Sequence, residues 1–341
     1  MALRITIDMF SGRPNPSWEI SDPDQVGYLE ELLLRTPEAR GEVHSGYTGL
    51  GFDGVRVEFT EGPGREGLPQ RFELAGGAAK DEAASAEVAA ELVETMPSNL
   101  SEGGGIDNGT WYADAMRTTA LEEIGRTARA DGGGGRAAPS LPGDQRQTRV
   151  TDEGTDATDQ ATGVGDQVTG VTDEVREQLR RLADGKPFCA FDSQVWAPEY
   201  WNHPLIEPYN NCYAYAVAIR TDTFARPGRK HGYEIPASML GFQVAVGLYK
   251  DGLSMYGFPC QPPGYSRFVV GLCTGTYSTG VRDFHFYRYH LEGFWSHKRA
   301  WNAARKTDES GRLITDPTTC NRGIYTEWYG LFQSNALVTI R

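Results

Sequence analysis

The sequence predicts an α+β protein with two folded modules joined by a low-complexity linker. Strand and helix patterns share the first 129 residues, and the composition then loses its apolar residues. The C-terminal part shows patterns of helices followed by antiparallel strands. Of the 341 residues, 39% are hydrophobic, which excludes a wholly disordered chain.

Residues 1–129 form the predicted N-terminal α+β module. Residues 3–9 alternate between apolar and polar side chains as a strand does. Asp22 or Asp24 can cap a helix that runs to about Arg35, because a carboxylate accepts hydrogen bonds from the first N–H groups of a helix. Two further strands and two further helices are predicted, at residues 54–60, 70–75, 80–96 and 111–129.

Residues 130–170 form the predicted linker. Its first half contains a run of glycines, and its second half, 150–170, consists mainly of Thr, Asp, Gly and Gln. Such a tract has too little apolar surface to offset the entropy lost on ordering, so we expect it to be flexible. A short helix is predicted at 171–183, at the start of a C-terminal domain that covers 171–341.

The C-terminal domain is predicted to contain two helices and then antiparallel strands. The first helix, 209–220, starts near Asn211, because Asn is a favoured capping residue. The second helix spans 236–250 and has a proline in its first turn. Strands are expected at residues 267–273, 282–290, 294–298 and 327–340.

The charge of the chain disfavours several classes of partner. Acidic residues outnumber basic ones 46 to 33, for a net charge of −13. Nucleic acids and anionic membrane surfaces would be repelled, so neither is expected as a partner. No apolar run is long enough to cross a bilayer, and residues 1–8 lack the apolar region of a secretory signal. We expect a cytoplasmic protein, or one exported without a classical signal.

The cysteines predict reduced thiols. There are five, which is an odd number, and they are widely spaced without a C-x-x-C pair. A disulfide framework and a zinc cluster are therefore disfavoured. Asp308 and Asp316 lie in a loop that lacks the calcium-binding spacing. We expect no metal and no cofactor.

Cys212 is the candidate nucleophile. It lies at the predicted start of a helix, where free N–H groups and the helix dipole favour a thiolate and lower its pKa. The thiolate is the reactive form in nucleophilic catalysis. The alternative is that Cys212 is a small apolar residue in the first turn of a buried helix.

His285 and His297 are the candidate base and orienting residue. They lie twelve positions apart, on two predicted strands joined at residues 291–293. A hairpin centred on Leu291 with a three- or five-residue loop would pair them directly across the strands. A two- or four-residue loop would place them on opposite faces, where they would be two unrelated polar residues. In the first register they complete the nucleophile–base–orienter pattern of a catalytic triad.

Three segments, 211–216 (NCYAYA), 283–287 (DFHFY) and 295–298 (WSHK), resemble the NlpC-like and CHAP-like branch of the papain-fold cysteine peptidases and amidases. The resemblance covers about residues 205–300. It implies a cysteine-bearing helix packed on an antiparallel sheet, and often bacterial cell-wall peptides as substrates. The bulky residues 286–289 depart from the Gly-rich strand that this branch has after its histidine.

The resemblance also implies roles for the site residues. Cys212 would attack an amide carbonyl, His285 would take the thiol proton and pass it to the leaving amine, and His297 would hold the imidazole. Water would then hydrolyse the acyl-enzyme. Further residues are expected to support the reaction as oxyanion donors, as neighbours of the base or as the cleft wall: Tyr209, Asn210, Asp283, Tyr287 and Trp295.

The leading hypothesis is a two-domain thiol hydrolase that acts on a peptide or amide substrate. Its N-terminal module would position it through the linker, by contact with a protein partner. A catalytically silent binding or scaffold protein on the same fold is the first alternative, since residues 286–289 could fill the cleft. A transglutaminase-like acyltransferase is the second. An open groove beside Cys212 would favour an enzyme, and a closed one would favour the binding protein.

Overall fold

The structure is a computed structural model. It describes residues 2–43, 45–47, 50–62, 65–100, 110–130, 195–256 and 266–341. The predicted linker beyond residue 130 and the predicted helix at 171–183 lie outside these residues. Within them the chain contains both helices and antiparallel sheets, so the predicted α+β class is confirmed.

The N-terminal module is a four-stranded antiparallel sheet with three helices. Its strands are β1 (Leu3–Asp8), β2 (Ser17–Ile20), β3 (Gly54–Phe59) and β4 (Arg71–Leu74), in the order β2-β1-β3-β4. Its helices are α1 (Pro23–Arg35), α2 (Glu82–Glu94) and α3 (Thr110–Ala130). Asp22 caps α1 as predicted, because its carboxylate accepts from the Gln25 N–H at 3.0 Å.

Within the described residues, the C-terminal domain contains two short α-helices and a six-stranded sheet. The helices are α4 (Cys212–Ala216) and α5 (Gly241–Lys250). The strands are β5 (Ser254–Met255), β6 (Ser266–Thr276), β7 (Arg282–Tyr289), β8 (Trp295–Lys298), β9 (Ala304–Arg305) and β10 (Glu327–Asn335). The order across the sheet is β5-β10-β6-β7-β8-β9. No helix in the described ranges is long and apolar enough to cross a membrane.

Helices α4 and α5 are both shorter than predicted. α4 ends at Ala216, and Ala218 just beyond it has a left-handed backbone with φ of 56°. α5 begins at Gly241, two residues after Met239, whose φ is 36°. A non-glycine residue in this region cannot continue a right-handed helix.

The two faces of the large sheet contact different parts of the molecule. Phe284 and Phe286 of β7 point towards α4 and belong to the core cluster that contains Cys212. Tyr287, one residue further on, belongs to a separate cluster on the other face. This alternation is a property of any strand, since successive side chains point to opposite faces.

The two modules pack against each other over a buried interface. Tyr277, in the turn between β6 and β7, is part of the core of the N-terminal module, and its hydroxyl donates to the Met9 carbonyl at 2.5 Å. A buried ion pair joins Arg299 to Asp53 at 3.5 Å, with side chains that are 3% and 1% exposed. The Asn302 amide also donates to Asp53, at 3.2 Å.

We expect the Arg299–Asp53 pair to be essential to module packing. Arg299→Met should lower the free energy of unfolding by about 3–5 kcal/mol, because it leaves the Asp53 carboxylate buried without its arginine. Arg4→Met is the matched control, since the Arg4–Glu19 pair at 2.6 Å is about half exposed. That variant should lose less than about 1 kcal/mol. Urea unfolding measures both losses, and equal losses would contradict the assignment.

Candidate functional site

Cys212 is the first residue of α4, at the helix start that the sequence predicts. Asn211 caps this helix, because its side-chain oxygen accepts from the Ala214 N–H at 3.2 Å. The side-chain nitrogen of Asn211 donates to the carbonyls of Gly12, at 2.9 Å, and Ala225, at 2.8 Å. One asparagine therefore starts the helix and also binds a loop of the N-terminal module.

The Cys212 sulfur is fully enclosed. The residue has no exposed surface, and its sulfur lies 4.0 Å from the Phe284 carbonyl oxygen. Burial raises the pKa of the thiol well above its ordinary value, and the negative charge of Asp283 raises it further. A hydrogen bond from the Phe286 N–H acts in the opposite direction and is outweighed. The predicted lowering of the thiol pKa is therefore wrong, because desolvation outweighs the dipole of a five-residue helix.

His285 and His297 are hydrogen-bonded to each other. Nε2 of His285 lies 2.8 Å from Nδ1 of His297. The hairpin is centred on Glu292 rather than on Leu291, so Tyr287 lies opposite His297 and the predicted direct pairing is wrong. The two histidines still share a face, since moving the centre by one residue shifts the pairing by two.

The Ser11 hydroxyl lies between the Cys212 sulfur and the His285 ring, because it contacts both. Phe284 and Phe286 point to the side of α4, and His285, between them, points to the other side. The ring nitrogens of His285 are bonded to Ser11 and to His297. The direct proton transfer predicted between Cys212 and His285 has no hydrogen bond to follow in this arrangement.

Ser11, which the sequence does not single out, stands between Cys212 and His285. It belongs to residues 9–16, the finger loop, which connects β1 to β2. Its hydroxyl lies 2.6 Å from Nδ1 of His285 and also contacts the Cys212 sulfur. The finger loop reaches this place because the pairing of β7 with β8 covers 287–289 and leaves the start of β7 uncovered by β8.

Hydrogen bonds connect one network of side chains: Asp283, Tyr325, Ser11, His285, His297 and Arg305. Its proton positions follow from the Asp283 end. Oδ2 of Asp283 accepts from the N–H groups of Ser11 and Gly12, at 2.8 and 3.2 Å. It also accepts from the Tyr325 hydroxyl at 2.5 Å. Because Tyr325 gives its hydrogen to Asp283, Ser11 donates its own hydrogen to Tyr325, at 3.0 Å. The bond between Ser11 and His285 then requires a hydrogen on Nδ1 of His285.

The Arg305 contact at the other end of the network agrees with this assignment. Nε–H of Arg305 donates to Nε2 of His297 at 3.0 Å. The Thr307 carbonyl also lies 3.1 Å from that nitrogen, but a carbonyl oxygen can only accept, so Nε2 pairs with Arg305 or with Thr307 and not with both. A neutral His285 with its hydrogen on Nδ1 has a lone pair on Nε2, so His297 donates to it from Nδ1, and Nε2 of His297 accepts from Arg305. A general base needs a free lone pair towards its nucleophile, whereas here Nδ1–H of His285 faces Ser11.

Two predicted supporting residues lie on the side of His285, as their strand parity predicts. The ring of Tyr287 stacks on His297, with centroids 5.1 Å apart. Asp283 reaches His285 through Tyr325 and Ser11 rather than directly. Their common effect is to hold the histidine pair and the finger loop in place.

Three other predicted site residues make their contacts with groups other than the Cys212 sulfur or the histidine pair. Tyr209 is 53% exposed. Asn210 is buried, but its amide donates to the Asp222 carboxylate at 3.1 Å and closes a neighbouring loop. Trp295 packs in the core against Tyr289, with ring centroids 5.2 Å apart. The predicted roles of these residues as oxyanion donors and cleft wall stay predictions.

Lys298 is a further buried residue that the sequence analysis missed. Its ammonium group donates to the carbonyls of Glu207, at 2.6 Å, Asn210, at 2.7 Å, and Ala300. Burial lowers its pKa to about 7. Lys298 thus fixes the turn before α4, and its parity in β8 is the sequence signal that places it on the side of Cys212.

Asp308 and Asp316 accept hydrogen bonds from N–H groups of their own loops. Asp308 accepts from the N–H groups of Ser310 and Arg312, at 2.9 and 3.0 Å. Asp316 accepts from the Thr318 N–H at 2.8 Å. In the part of the chain that the structure describes, no group of His, Cys, Asp and Glu is arranged to hold a metal ion.

These features define a two-module α+β protein in which a buried thiol–serine–histidine network lies at the junction of the modules. No protein-family profile matches the chain, and no solved structure matches it. A stretch of 138 residues is 39% identical to insoluble matrix shell protein 1 of Ruditapes philippinarum. It covers 40% of this chain and 88% of that protein. The chain belongs to the family of this insoluble matrix shell protein.

The buried histidines predict a loss of stability in mild acid. Burial lowers the pKa of His285 and His297 well below the ordinary value, so they stay neutral in the folded state. Their unfolded pKa is about 6.5, so the unfolded state binds more protons below that pH. The free energy of unfolding should be highest above about pH 6.5 and fall by about 1.4 kcal/mol per pH unit for each histidine below it.

Urea unfolding at a series of pH values measures this slope. His297→Gln should reduce it, whereas His203→Gln should leave it unchanged, because His203 is exposed. The comparison between variants isolates the histidines from other titrating groups. Identical slopes in both variants would contradict the neutral assignment.

Proposed function

We propose that the chain is a non-catalytic scaffold protein of an insoluble matrix. In this role the network of Cys212, Ser11, His285 and His297 locks the two modules together. The observation that carries the proposal is the position of Ser11. Its hydroxyl occupies the place on His285 that a nucleophile would need, 2.6 Å from Nδ1.

The protonation of the network supports this function. A thiol hydrolase needs a thiolate or an imidazole that can accept the thiol proton. Burial keeps the Cys212 thiol protonated by raising its pKa, and His285 presents Nδ1–H rather than a lone pair. Every member of the network is buried and bonded, which favours stability and a fixed geometry over chemistry.

The relative supports the matrix role by its name, insoluble matrix shell protein 1. A matrix protein acts outside the cell, so we propose that this chain is exported. Its partners would then be other matrix components rather than a small substrate. The buried interface between the modules would keep the scaffold rigid.

A cysteine amide hydrolase is the second candidate, and one observation favours it. The Cys212 N–H lies 3.5 Å from the Ser11 carbonyl oxygen, at the start of a helix. A carbonyl at that place resembles a substrate carbonyl at an oxyanion donor. Catalysis would require the finger loop to leave and the His285 tautomer to reverse. An acyltransferase would have the same requirements.

Alkylation rates separate the two candidates. In the native protein at neutral pH, iodoacetamide should label Cys212 as slowly as Cys273, because both are fully buried. Both should react more slowly than Cys320, which is partly exposed. Site-resolved mass spectrometry of the labelled protein measures the three rates, and Cys273 is the internal control for unfolding.

Labelling of Cys212 ahead of Cys320 while Cys273 stays protected would overturn the scaffold function. So would hydrolysis of a peptide library that is lost in Cys212→Ala. Cys212→Ala should otherwise retain the fold and lose about 1–2 kcal/mol of stability, the effect of removing a small buried group.

A further inference from the structure

Every backbone N–H and C=O group of the Ser11–Gly12 step in the finger loop is hydrogen-bonded to the C-terminal domain. The two N–H groups both donate to Oδ2 of Asp283, at 2.8 and 3.2 Å. The Ser11 carbonyl lies 3.5 Å from the Cys212 N–H, and the Gly12 carbonyl accepts from the Asn211 amide at 2.9 Å. Two donors and two acceptors are thus matched by three groups of the other module, because Oδ2 of Asp283 accepts from both N–H groups. A complete match of this kind is how proteins recognise an extended peptide.

The crevice that holds this step also selects side chains. A Cβ atom added to Gly12 would lie 2.4 Å from the Phe284 carbonyl oxygen and 2.5 Å from its ring. Phe284 cannot move aside easily, because it is fully buried and packs on Phe286 at a centroid distance of 5.6 Å. Only glycine fits at this position. At the preceding position the Ser11 hydroxyl is bonded to both His285 and Tyr325.

The next residue adds a third contact. Arg13 is 4% exposed, and its guanidinium donates to the Arg282 carbonyl at 3.0 Å. The same guanidinium lies over the Phe10 ring, 4.6 Å from its centroid. The crevice therefore makes contacts that are specific for a Ser–Gly–Arg sequence.

The finger loop is shaped by its own hydrogen bonds. The Asn15 side-chain oxygen accepts from the N–H groups of Met9 and Phe10, at 3.1 and 2.7 Å. Its nitrogen donates to the Asp8 carboxylate at 3.0 Å. The Ile7 N–H and the Pro16 carbonyl close the base of the loop at 3.0 Å. The loop is therefore a preorganised ligand whose shape does not depend on the crevice.

We propose that the crevice between the start of α4 and the open edge of β7 is a binding site for a peptide with a Ser–Gly–Arg step. The finger loop fills this site within the same chain. A peptide of the same chemistry from another molecule binds there when the finger loop is withdrawn. This inference adds a recognition site to the scaffold role and does not depend on it.

A labelled synthetic peptide of residues 5–18 tests the proposal. Gly12→Ala in the full chain should expel the finger loop and leave the crevice empty. Fluorescence anisotropy should then show binding at least about tenfold tighter to this variant than to the wild type, whose site is filled. A peptide in which Gly12 is replaced by Ala should bind at least about tenfold more weakly. Gly27→Ala is the matched control, because a Cβ there meets no atom within 4 Å.

The alkylation of Cys273 reports whether the variant is folded. If Cys273 stays protected in Gly12→Ala and the peptide does not bind, the proposal is wrong. If that variant unfolds, Arg299→Met serves in its place, because it loosens the modules without changing the crevice. The proposal then requires this variant to bind the native peptide more tightly than Arg4→Met does, and equal or absent binding overturns it.

Whether the bound peptide stays intact distinguishes a failure of the recognition-site proposal from a failure of the scaffold proposal. Recovery of the intact peptide by mass spectrometry supports both. Binding followed by cleavage at the Ser–Gly bond supports the recognition site and overturns the non-catalytic function. Equal binding of the native and alanine peptides overturns the recognition site and leaves the scaffold function as it stands.

Discussion

The close approach of the Ser11–Gly12 step to β7 is the constraint on which the junction of the two modules depends. Gly12 lies so near the Phe284 carbonyl that any side chain would collide with it. This approach brings the N–H groups of the step onto Asp283 and the Ser11 hydroxyl onto His285. Because these groups are buried, each would cost free energy if it lost its partner. The contact therefore joins the modules and separates the sulfur from the imidazole at the same time.

The network also has an electrostatic direction. It begins at the Arg305 guanidinium, passes through both histidines, Ser11 and Tyr325, and ends at the Asp283 carboxyl. A cation at one end and an acid at the other favour one set of proton positions, in which each group donates towards Asp283. That set places a hydrogen on the histidine nitrogen that a catalytic mechanism would need free. The residues that resemble a thiol hydrolase site thus belong to one continuous hydrogen-bonded network.

Much of the fold follows from local patterns in the sequence. The strands and helices of the N-terminal module, the Asp22 and Asn211 caps and the shared face of His285 and His297 all depend on neighbours within a few positions. Such features can be predicted from the sequence, because side-chain parity and helix capping depend only on residues close together in the chain. The short lengths of α4 and α5 could not be predicted from the sequence, because residues with a left-handed backbone, such as Ala218, carry no composition signal.

The sequence by itself determined which residues begin a helix, which side chains share a strand face and where the composition changes from module to linker. Only the tertiary structure decided that Ser11 meets His285, 274 positions away, and that its hydroxyl lies between the Cys212 sulfur and that ring. The reason is physical. Spacing along a chain fixes the relation of near neighbours, but the face on which a helix packs and the loop that fills a crevice are set by the burial of distant surfaces against each other.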